Sequence, residues 1–138
     1  MPSDFGFTYS FGAFEASKYD SASGIFSRDT GCMPAGSGTQ KDFYLPLTQD
    51  EKTGIYRAIT ENGLFFVKEN MTQPYGSLPP LGATLAFTAN GRTRTVSWSA
   101  GYSDDADYRR FANATGQIDE ILGRKREEAG ATGICFYM

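Results

Sequence analysis

Phe5-Gly6-Phe7-Thr8-Tyr9-Ser10-Phe11-Gly12 is the stretch whose reading decides how this chain folds. The rings fall on odd positions and the small residues on even ones, so an extended backbone sends four rings to one side of the pleat and leaves the other nearly bare. Such a stripe is either the heart of a core or a flat stacking platform. A platform for bases carries a basic surround, and the flanking charges here are Asp4 and Glu15, so core packing is the expected role. The bare face of Gly6, Thr8, Ser10 and Gly12 is then open to a second backbone or a flat ligand.

The 138 residues suffice for one well-packed domain, and residues 1–138 are read as a single unit. A formal charge of −3 argues against a nucleic-acid partner, which needs a concentrated basic surface. The chain has no histidine, which removes the commonest acid/base near neutral pH and the commonest metal ligand; no cofactor or metal is expected. No apolar run approaches the roughly 18 residues that cross a bilayer, so no transmembrane segment is expected. The start Met1-Pro2-Ser3-Asp4 lacks the basic and apolar stretches of a signal peptide.

Outward from the stripe, strands are expected at about residues 4–14, at 25–30 pairing with the first, and at 41–47, where Phe43, Leu45 and Leu47 alternate. Residues 15–23 read as a connection and 31–40 as an irregular loop. Thr48 with Glu51 three residues on is a capping box opening a helix whose inward stripe is Ile55, Ala58 and Ile59 and whose end is Asn62-Gly63. Residues 68–82 read as a surface excursion. Asn90-Gly91 predicts a two-residue type I′ hairpin that pairs Phe87 with Arg94, Leu85 with Val96 and Ala83 with Trp98. On that face Arg94 is expected to lay its stem along Phe87 with its charge in water. A second helix starts near Ser103 or Asp104, buries Phe111, Thr115, Ile118 and Leu122, and has Gly116 and Gly123 as candidate close-packing points. The tail from Thr132 reads as a last short strand or an apolar segment. The fold class is therefore α+β: an antiparallel sheet of four to five strands with two helices packed on one face.

No arrangement in the sequence specifies a reaction. If the chain is an enzyme, a small carboxylate-dependent hydrolase or lyase, its candidate groups are Asp29, Glu15 and Tyr9 with Arg28 or Arg94. Candidate binding residues are Met33, Met71 and Tyr75, expected to be exposed on the two long loops, together with Trp98 on the inward hairpin face. Cys32 and Cys135 form a candidate disulfide suited to an oxidising compartment, with two free buried thiols as the alternative. Cys32 has no histidine to activate it as a nucleophile, and no CxxC pair supports zinc or dithiol chemistry.

Four segments together carry a resemblance: Phe7-Thr8-Tyr9-Ser10-Phe11-Gly12; Phe26-Ser27-Arg28-Asp29; Leu45-Pro46-Leu47-Thr48 leading to Ile55-Tyr56; and Asn90-Gly91 leading to Val96-Ser97-Trp98. Their order resembles a group of small uncharacterised bacterial domains, often carried behind a secretion or lipoprotein leader. The resemblance implies an extracytoplasmic α+β domain, and since the group has no assigned catalytic residues, none is carried over. The leading expectation is a non-enzymatic accessory domain that binds a protein or small molecule through loops 31–40 and 68–82. The alternatives are the hydrolase or lyase and a purely structural module. Its location is expected to be periplasmic or cell-surface, the leader lying outside the chain, and otherwise cytoplasmic.

Overall fold

The aromatic stripe forms β1 (Gly6–Ala13), the middle of a seven-stranded sheet in the computed structural model, which describes residues 1–13, 17–29, 40–71, 81–99 and 106–128. The other elements are β2 (Ser17–Asp20), β3 (Ile25–Asp29), β4 (Gln40–Tyr44), α1 (Gln49–Glu61), β5 (Asn70–Met71), β6 (Leu81–Ala89), β7 (Arg92–Ser99) and α2 (Ala106–Glu128). The sheet order is β4-β3-β2-β1-β6-β7-β5. Neighbours are antiparallel except β5, which runs parallel to β7.

Alternation puts Phe5, Phe7 and Tyr9 on the core side together with Ala83, Leu85, Phe87 and Ala89 of β6, all buried. The pairings Tyr9↔Tyr19, Tyr19↔Phe26 and Phe26↔Phe43 carry one aromatic row from β1 to β4, and Tyr9↔Leu85 and Leu85↔Val96 extend it the other way. Both helices bury their stripes in the same cluster, Ile55, Ala58 and Ile59 from α1 and Phe111, Ala114, Ile118 and Leu122 from α2. Burying a side chain of this size contributes about 1.5–3 kcal/mol, so the joint cover of the sheet is the main stabilising term.

The hairpin has the expected register, and Asn90 (φ 54°) and Gly91 (φ 75°) both take the left-handed backbone that a type I′ turn requires. The capping box is formed: the Glu51 N–H donates to Thr48 Oγ1 (3.1 Å) and the Thr48 N–H to Glu51 Oε1 (2.8 Å). Lys125 Nζ reaches the same Glu51 oxygen at 2.9 Å and joins the end of α2 to the start of α1.

Several expectations are corrected. Among the described residues the sheet has seven strands, not four to five, and is mixed because of β5. Residues 17–20 are not connection but β2, inserted between β1 and β3, so β3 pairs with β2 and not with β1. One buried side chain, Tyr19, anchors it, its hydroxyl donating to the Leu45 carbonyl at 2.7 Å; a single apolar residue in four gives no periodic signal. β4 ends at Tyr44, before Leu45 and Leu47. Arg94 does not hold its charge in water: its guanidinium donates to the carbonyls of Phe65 and Val67, which lack helical partners beyond α1. Gly116 has no atom near enough to meet a Cβ and is not a packing point; the close approach is at Gly54, whose Cβ would stand 3.2 Å from Ile121 Cδ1. The expected start of the second helix at 103–104 and the tail from 132 lie outside the described residues.

Candidate functional site

Row by row, the core face of the β1–β6–β7 region reads large, small, large at one end: Phe11 pairs with Ala83, and Ala83 with Trp98. The next register position, Gly12 opposite Gly82, belongs to the other face and carries no side chain. Alanine and glycine leave the floor low between two aromatic walls, and α2 passes above it. The result is a cleft of about 310 Å³. Tyr9, Phe11 and Gly12 line it from β1, Gly82 and Ala83 from β6, and Trp98 from β7. The helix contributes Tyr108, Phe111, Ala112, Thr115 and Asp119. Its size falls at the lower end of the range for small-ligand sites, and its walls are the mainly apolar, aromatic kind such sites use.

Polar groups are few and placed. Asp119 is the one charged residue among the described residues lining the cleft, and it accepts a hydrogen bond from the Tyr9 hydroxyl. Asp119 is exposed on its outer side, and partial desolvation of its carboxyl raises it above its ordinary value although Tyr9 and Arg126 pull it down. The Tyr9 phenol is raised too, first by burial and then by the Asp119 charge, so it stays a neutral donor near neutral pH. The Thr115 hydroxyl donates to the Phe111 carbonyl at 3.0 Å, one turn back in the helix. Trp98 packs tilted against Tyr108 at a ring-centroid distance of 5.6 Å, and its indole N–H is buried with no partner among the described residues. A buried donor left unpaired costs on the order of 1–3 kcal/mol, and this one is closed off from the cleft, to which Trp98 offers its ring.

Just outside, the Arg126 guanidinium stands 5.4 Å from the Phe11 ring centre and 5.3 Å from that of Phe26. The negative ring faces hold that cation in place.

Of the residues singled out in the sequence, the structure brings Tyr9 and Trp98 together in this cleft. Arg94 is engaged with Phe65 and Val67, two residues along β7 from Val96, and does not line the cleft. Arg28 is half-buried on β3, opposite Lys41 of β4. Met71 is fully buried in β5 opposite Trp98, so its expected exposure is corrected: the excursion carries a strand that adds to the sheet edge. Glu15, Met33, Tyr75, Cys32 and Cys135 lie outside the described residues, and of Asp29 only the backbone is described, closing β3 opposite Gln40. The bare face holds a shallower hollow of about 230 Å³ that includes Gly6, Thr8, Ala86 and Thr88. Hydroxyls on that side satisfy one another, Thr84 with Ser97 at 3.2 Å and Thr88 with Thr93 at 2.8 Å.

Sequence reasoning missed Asp119 and Tyr108. The signal was a second helical stripe, Tyr108, Ala112, Thr115 and Asp119, spaced four, three and four and turned slightly from the buried stripe. The chain matches no known protein-family model, and no curated protein is similar to it. Among the described residues no helix is long and apolar enough to cross a membrane, and no cluster of three or more potential metal ligands occurs.

Proposed function

We propose that this chain is a non-enzymatic binding domain whose site is the aromatic cleft between α2 and the Phe11–Ala83–Trp98 end of the sheet. The observation that carries the reading is the coincidence, in one cleft of about 310 Å³, of aromatic walls and a low floor. A carboxylate-dependent hydrolase or lyase needs a second acid/base group converging on the same atom. Asp119 is the single carboxylate lining the cleft among the described residues, and its neighbour Tyr9 is held neutral, so binding is the better supported reading. In keeping with the resemblance, we place the domain outside the cytoplasm as an accessory module, to be checked by fractionating cells that express the full-length gene.

The test uses Trp98, the only tryptophan, as a built-in reporter. Titration with the neutral fluorescent probe N-phenyl-1-naphthylamine is expected to quench Trp98 emission saturably. Ala112, small and half-buried in the cleft wall, is the position to fill. Ala112→Phe is expected to abolish the response while circular dichroism stays unchanged. An unquenched wild-type protein, or equal quenching in a folded Ala112→Phe variant, would remove the proposal.

A further inference from the structure

The ligand class follows from the chemistry of the cleft, and this step rests on the binding reading above. Five aromatic residues, Tyr9, Phe11, Trp98, Tyr108 and Phe111, surround a space whose one charged lining residue among those described is the carboxylate of Asp119. We propose that the cleft binds a small organic cation of the methylated or quaternary ammonium class, seated against the aromatic faces near Asp119.

Three considerations separate this class from its competitors. A neutral ligand gains nothing from the Asp119 carboxylate, whereas a cation is attracted to it. An anion would meet Asp119 directly and is excluded on charge. A primary ammonium carries three N–H donors that all need acceptors, yet the polar oxygens here are few. They are the Asp119 carboxylate and the Tyr9 and Thr115 hydroxyls, against five aromatic rings. A methylated ammonium has little or no such demand, is weakly hydrated, and draws its binding from ring faces, which suits a wall richer in rings than in oxygens.

The position of Arg126 shows that the rings on this side already hold a cation: its guanidinium stands over Phe11 without lining the cleft. Its charge also offsets part of that of Asp119. A ligand cation therefore binds against a partly neutralised carboxylate, and the ring faces have to supply much of the attraction.

Choline is the probe, a small quaternary ammonium, and 3,3-dimethyl-1-butanol is its neutral isostere. Calorimetric titration of the intact chain is expected to show choline binding at least tenfold tighter than the isostere. Asp119→Asn is expected to weaken choline at least tenfold while the neutral naphthylamine probe still binds, as tightly or more so, with an unchanged circular dichroism spectrum as the control for folding. Equal binding of choline and its isostere, or an unchanged choline affinity in Asp119→Asn, would overturn the cation assignment. Binding of the naphthylamine probe without choline would discard the cation class and keep the cleft. Binding of neither would discard both.

Discussion

At the scale of single residues, the most informative side chains are those whose partner lies far away in sequence. Asp4 accepts from the N–H groups of Asn90 (2.8 Å) and Gly91 (2.7 Å), so a residue two positions before the first strand caps the turn of the last hairpin. Those two donors hold the Asp4 carboxyl below its ordinary value. A carboxyl lowered in the folded state stabilises above its unfolded value, and that contribution is lost as pH falls through the folded value. Asp4→Asn is accordingly expected to lower the melting temperature at pH 7 and to match the wild type once the pH is below the Asp4 range, a comparison that a pH series of thermal melts makes directly. In sequence Asp4 was visible only as a charge beside an aromatic stripe, because its partners are 86 and 87 residues away. Arg94 shows the converse. Its place opposite Phe87 was legible from the turn, but the Phe65 and Val67 carbonyls that claim its guanidinium were not.

At the scale of elements, legibility followed the strength of the local code. α1 was readable because its start is specified within four residues: Thr48 and Glu51 satisfy each other's backbone donors. Thr48→Ala is expected to cost about 1 kcal/mol, seen as a lower urea midpoint with an unchanged slope. The β6–β7 hairpin was readable for the same reason, since Asn90-Gly91 sets both the turn and the register. β2 and β5 were not, because a four-residue and a two-residue strand exist only through the partners on offer. Tyr19 lies between Tyr9 and Phe26, and Met71 lies beside Trp98; neither segment carries a pattern of its own.

At the scale of the molecule, β1 and β6 are the middle of the sheet, each paired on both sides and covered by helices on the core face. Amide hydrogen exchange is expected to be slowest at Phe7, Tyr9, Leu85 and Phe87, with the edge strands β4 and β5 exchanging earlier. Slowest exchange in β4 or β5 would contradict this sheet order. The cleft also belongs to this scale, since its floor and walls come from three strands and its roof from a helix that follows them in the chain.

Side-chain alternation, capping chemistry and the Asn90-Gly91 turn are local, and from them the chain alone established the α+β class, the core stripe, both helix faces and the hairpin register. Only tertiary structure decided that β2 enters between β1 and β3, that Arg94 seals the carbonyls after α1, and that Asp119 joins Tyr9 beside Trp98. The physical reason is range: periodicity and capping act across a few residues, whereas a cleft is the space left where distant small and large side chains meet, and no window of sequence contains it.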